Sequence, residues 1–105
     1  MVHHIVLYKL KSGIEDEDVE EMMRAARSQL LKIPEVLTIR SGKRIDEKQE
    51  WPFYVAIEFG SLVKMAMCHD DPIYAKYRQE VIEPNTIESL DLTYELEPSR
   101  NVKYS

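Results

Sequence analysis

The sequence is short of several things, and each shortage excludes something. Its 105 residues include one cysteine, Cys68, so no internal disulfide forms, and a reducing, cytoplasmic location is the expectation. Only three glycines occur, at 13, 42 and 60, which leaves no glycine-rich phosphate loop. No apolar run approaches the ~20 residues of a membrane span. The start, Met1-Val2-His3-His4, has no basic region leading into an apolar one, so neither a leader nor a membrane partner is expected. Basic residues are outnumbered, 14 against 19 acidic, for a net charge of -5. A chain without a basic patch has nothing to follow a phosphate backbone, and nucleic acid is not an expected partner. No Ser-His-Asp signature is present either.

What remains is globular: 44% hydrophobic and 31% charged residues in one domain-sized chain. Segment 2–11 reads as a strand with both faces largely apolar, His4, Val6, Tyr8 and Leu10 on one and His3, Ile5, Leu7 and Lys9 on the other. Residues 15–33 read as a helix with an acidic start and the inward stripe Val19, Met22, Met23, Ala26, Leu30 and Ile33, stopped by Pro34. A second strand is expected over 36–44. A third, 51–59, alternates with Trp51, Phe53, Val55, Ile57 and Phe59 on one face. A short helix follows at 62–69, with Leu62, Met65 and Ala66 inward. Asp71-Pro72 then opens another helix, to about Glu83. Segment 88–96 alternates again, with Leu90, Leu92, Tyr94 and Leu96 together. The domain is expected to span 1–98, with a polar tail at 99–105.

The order β-α-β-β-α-β is the split βαβ, ferredoxin-like arrangement, an α+β fold with a four-stranded antiparallel sheet and helices on one face. Two helices can cover only one face of a four-stranded sheet. Ile5, Leu7, Tyr54 and Ala56 are left on the other, and an apolar sheet face of that size implies a partner. The simplest partner is a second copy of the chain, related by two-fold symmetry.

The opening HHIVLYKLKSG, an acidic helix, KIPEV, a Trp/Tyr-led third strand and DDPIYAKY together resemble the stress-responsive dimeric A/B-barrel (Dabb) family, over about residues 2–97. The resemblance implies a homodimer whose sheets close into an α+β barrel, with a cavity between sheet and helices in each protomer and no cofactor. It places His4, Val6, Tyr8, Met22, Phe53, Val55, Ile57, Tyr74 and Tyr77 along that cavity. One relative, a plant polyketide cyclase, uses histidines on the first strand, on the third strand and at the opening of the second helical region, together with a nearby tyrosine. Here those positions hold His4, Phe53, Tyr74 and Cys68. Three of the four differ, so that chemistry does not carry over. Some relatives hold a cation on carbonyls after the first helix, at positions matching Leu30, Ile33 and Val36.

Three functions follow as expectations. The first is a homodimer that binds a small apolar or aromatic ligand through Val6, Tyr8, Met22, Phe53, Val55, Ile57 and Tyr77. The second is a cofactor-independent enzyme, cyclase-like or monooxygenase-like, with His4 as base and Tyr74 as hydrogen-bond donor. An imidazole is poised near neutral pH, and a phenol donates well to an oxyanion. The third is a structural, stress-protective oligomer. His69, Asp70 and Asp71 form a local cluster, read as helix ends: Asp71 as an N-cap and His69 closing the helix before it. No metal site is expected. Cys68, without a neighbour to lower its pKa, reads as buried or half-buried filler.

Overall fold

The computed structural model describes residues 1–98; the expected tail, 99–105, lies outside the described residues. Strand β1 spans Val2–Leu10, β2 Thr38–Lys43, β3 Phe53–Phe59 and β4 Thr86–Glu95. Helices α1 (Asp16–Leu30), α2 (Leu62–His69) and α3 (Pro72–Tyr77) intervene, and α3 runs on into a π-helical turn at Arg78–Ile82. The sheet order is β2-β3-β1-β4 and its paired strands are antiparallel, so the fold is the expected ferredoxin-like one.

Local chemistry explains the boundaries. The first turn of α1 carries Asp16, Glu17 and Asp18 against the positive end of the helix, and the Glu15 N–H donates to Asp18 Oδ2 at 2.9 Å. The helix ends at Leu30, three residues before the expected stop. The residue before a proline avoids the α region, and here the chain tightens ahead of Pro34, with the N–H groups of Lys32 and Ile33 reaching back three residues. Asp71 caps α3, accepting from the Ile73 N–H at 2.8 Å. The helix expected to run evenly to Glu83 instead widens, and the Glu83 N–H donates to the carbonyl of Arg78 at 2.8 Å. Side chains close that wide turn: Asn85 Nδ2 donates to the Val81 carbonyl and Thr86 Oγ1 to that of Ile82. In α2 the inward residues are Cys68 and, half-buried, Met65. Leu62 and Ala66, expected inward, are exposed, and Leu62 instead lines an edge groove with Met1, Val2 and Tyr94.

The core lies between the helices and one sheet face. Val19, Met22, Ala26, Leu30 and Ile33 meet Val6, Phe53, Val55, Ile57 and Phe59, while Tyr77 and Cys68 seal the α3 and α2 side. The opposite face is bare of helices. Strand register sets three rows across it: Thr38, Glu58, His3 and Tyr94; Arg40, Ala56, Ile5 and Leu92; Gly42, Tyr54, Leu7 and Leu90. Gly42 is required by close approach, because a Cβ there would run into the Tyr54 ring.

Candidate functional site

On the helix-facing side, β1 presents His4, Val6 and Tyr8, and its neighbour β4 presents Thr93, Asp91 and Ser89 opposite them. The edge strand carries polar side chains on one side of β1, whereas the three positions on the other side, Ile57, Val55 and Phe53 of β3, are apolar. A cleft of about 210 Å³ opens at this seam, lined by His4, Val6, Tyr8, His69, Tyr74, Arg78, Ser89 and Asp91. Strands β1 and β4 form its floor. The last residue of α2, the first turn of α3 and the start of the π-helical turn supply its wall.

His4 is 4% exposed, and its Nδ1 lies 2.9 Å from the hydroxyl of Thr93. Its ring centroid is 5.2 Å from that of His69, edge to face. His69 in turn lies 4.9 Å from the Tyr74 ring and 6.4 Å from Phe59. Burial, and next the repulsion of His69, hold the His4 imidazole below its usual range, with Asp91 opposing. Burial likewise lowers His69, again against the pull of Asp91. Burial pushes the Tyr74 phenol up to about 12 and the Tyr8 phenol higher still. At neutral pH the cleft therefore offers two neutral imidazoles and two phenols that donate rather than ionise. Arg78 and Asp91 bring one charge of each sign, and neither forms an ion pair among the described residues.

Of the residues expected at the site, His4, Val6, Tyr8 and Tyr74 line the cleft. Met22, Phe53, Val55, Ile57 and Tyr77 do not: they are packed into the core, none more than 3% exposed. Their apolar side chains fill the space under α1, where a ligand cavity had been expected to reach. His69, Arg78, Ser89 and Asp91 also line the cleft, and none of the four was expected there. The signal for the strand pair was visible, since Ser89, Asp91 and Thr93 occupy the polar parity of the last strand. His69 was assigned to a helix end, which is correct, but its ring points into the cleft and not into solvent alone. Cys68 is fully buried and its thiol is pushed up to about 12 by burial, which makes it a poor nucleophile. The carbonyls of Leu30 and Ile33 already accept from the N–H groups of Ile33 and Val36.

A ferredoxin-like sheet with one helical face, one bare face and a polar cleft at the β1–β4 seam defines the α+β barrel class of protomer. The chain belongs to the Dabb family: the family model described as the stress responsive A/B barrel domain matches residues 2–93. Among curated proteins none matches it. Solved structures resemble it at the level of fold. A Dabb family protein with a ferredoxin-like fold from Mesorhizobium loti is 19% identical, with 91% of this chain and 96% of that one covered and a TM-score of 0.78. A dimeric ferredoxin-like protein of unknown function from Thermobifida fusca is 18% identical, with 90% of each chain covered and a TM-score of 0.79. The hydroxynitrile lyase of Passiflora edulis is 16% identical, with coverages of 95% and 96% and a TM-score of 0.76. No helix among the described residues is long and apolar enough to cross a membrane.

Proposed function

We propose that the chain is a homodimer in which each protomer binds a small polar molecule in the β1–β4 cleft and moves a proton on it without a cofactor. The observation that carries this reading is the convergence of His4, His69 and Tyr74 on one cleft, with ring centroids 5.2 and 4.9 Å apart. Acid–base chemistry needs a group able to hold a proton near neutral pH beside a donor that does not ionise, and imidazole and phenol supply that pair. The lining is mostly polar, which favours a ligand with oxygen or nitrogen acceptors over the apolar one expected from the sequence. A volume of about 210 Å³ corresponds to roughly seven waters at ~30 Å³ each, enough for a small molecule but not for a polymer. The hydroxynitrile lyase of the same fold is an instance of this protomer shape used by an enzyme.

The bare sheet face supports the dimer. Ile5, Leu7, Leu90, Leu92, Tyr54 and Tyr94 supply the apolar centre.

Native mass spectrometry of the purified protein tests both parts. The expected result is the mass of two chains carrying a small organic species that is lost on Tyr74→Phe or His4→Gln substitution. A monomer overturns the dimer. Failure of a panel of small carbonyl compounds to perturb the cleft resonances in NMR overturns the binding site.

A further inference from the structure

Resting on the reading of the cleft as a proton-transfer site, we infer that its proton is carried by His69, with His4 as the positioning residue that stays neutral beneath it. The two imidazoles face different surroundings. His69 closes α2 and is exposed, so a positive charge on it stays partly solvated and sits at the negative end of a helix. His4 is 4% exposed in the middle of the sheet, and its Nδ1 is engaged by the Thr93 hydroxyl across the β1–β4 seam. That bond holds the His4 ring against the edge of His69. With centroids 5.2 Å apart, the pair accepts one proton readily and a second only against direct repulsion.

The groups around the pair reinforce this division. Phe59 and Tyr74 flank the His69 ring from β3 and α3, restricting it without competing for the proton. Asp91 on β4 and Asp70 beside the helix end favour the charged form of His69, while Arg78 at the start of the π-helical turn disfavours it. Asp91 also acts on His4, but there burial and the neighbouring imidazole oppose it. Tyr8 and Tyr74 remain protonated throughout this range. In the step this implies, the free ring nitrogen of His69 takes a proton from the bound molecule. The electron pair of the broken bond stays on that molecule, on an atom that the Tyr74 hydroxyl can face. The ligand class is therefore a small molecule with an acidic hydrogen next to an oxygen acceptor. His69 has no counterpart among the positions by which the sequence resembles the polyketide cyclase, so its role rests on the geometry alone.

The test is a pH titration of the three histidines by NMR in the full-length protein, with carbethoxylation by diethyl pyrocarbonate as a second readout. In wild type, His69 is expected to be the first of the pair to protonate as pH falls, and His4 only in a second, lower step. His69→Gln should raise the His4 midpoint by about one pH unit, whereas His4→Gln should leave the His69 midpoint near its wild-type position, because His4 is still neutral when His69 takes its proton. At neutral pH the reagent should modify His69 well ahead of His4. His4 taking the first proton, or the His4 midpoint staying put when the His69 ring is removed, overturns the assignment. The wild-type order of protonation decides the matter even where His4→Gln impairs folding. None of these readouts needs a ligand. A cleft that binds nothing would therefore sink the proposed function and leave the histidine assignment standing, and the reverse result would do the opposite.

Discussion

Leu92 offers the most direct perturbation of the proposed assembly. It lies in the middle row of the bare sheet face, paired with Ile5 of β1, which in turn pairs with Ala56 of β3. The side chain is only half-buried in the isolated protomer, so Leu92→Lys leaves the helix-facing core untouched. Two-fold symmetry places the substitution in the interface twice. The interface removes only the part of each leucine still open in the protomer, so two copies contribute on the order of 1–2 kcal/mol before any cost of desolvating the lysines. At 1.4 kcal/mol per tenfold, the apolar part alone should raise the dimer Kd about 10-fold, and burying two lysine charges should raise it further. Sedimentation equilibrium over a range of protein concentrations measures this, with circular dichroism to show that the protomer is folded. Arg78→Ala, on the other side of the sheet, is the control and should leave the Kd unchanged. A Leu92→Lys protein that stays dimeric with an unaltered Kd would refute assembly through this face.

Other expected outcomes come from single residues. The Tyr77 hydroxyl is buried with no hydrogen-bond partner among the described residues, so Tyr77→Phe should be neutral or stabilise by up to ~1 kcal/mol in urea melts; a loss beyond that would show that the hydroxyl is satisfied. Leu30→Ala, at a fully buried position between α1 and the sheet, should cost ~2–5 kcal/mol by the same measurement. His4 and His69 both titrate below their ordinary value of 6.5 when folded, so folding favours their neutral forms. The stability this gives is complete above about pH 6.5 and is lost as the pH falls through the depressed folded values. Thermal melts at about pH 7 and about pH 5 should accordingly converge when both residues are replaced by Gln, and an unchanged gap would count against the sign worked out here. Cys68 should resist alkylation by iodoacetamide at neutral pH until the protein is unfolded, since its thiol is buried and raised to about 12.

Much of this was legible along the chain because the relevant physics is local. Alternation of period two marked 51–59 as a strand with one apolar face, of which Phe53–Phe59 forms β3. The 3.6-residue stripe from Val19 to Leu30 marked α1, and Asp71-Pro72 marked the start of α3 by cap and ring geometry alone. The parity of β1 put His4 and Tyr8 on the helix-facing side and Ile5 and Leu7 on the other. The count of elements implied a bare sheet face before any pairing was known. The boundaries moved where local rules compete: at 31–33, before Pro34, and at 78–82, where the helix widens and side chains from Asn85 and Thr86 satisfy its carbonyls.

The elements, their order, the sidedness of β1 and β3 and the presence of one uncovered face can all be read along the chain. These follow from periodicity, capping and element count, which depend on near neighbours in the chain. The site does not. His4 and Thr93 are 89 positions apart and meet because β4 pairs beside β1. His69 reaches His4 because α2 ends over that seam. Met22, Phe53, Val55, Ile57 and Tyr77 became core because α1 and α3 close down on the sheet there. Which polar groups share a cleft, and which apolar groups merely fill space, is set by packing between distant segments, and no local pattern encodes it.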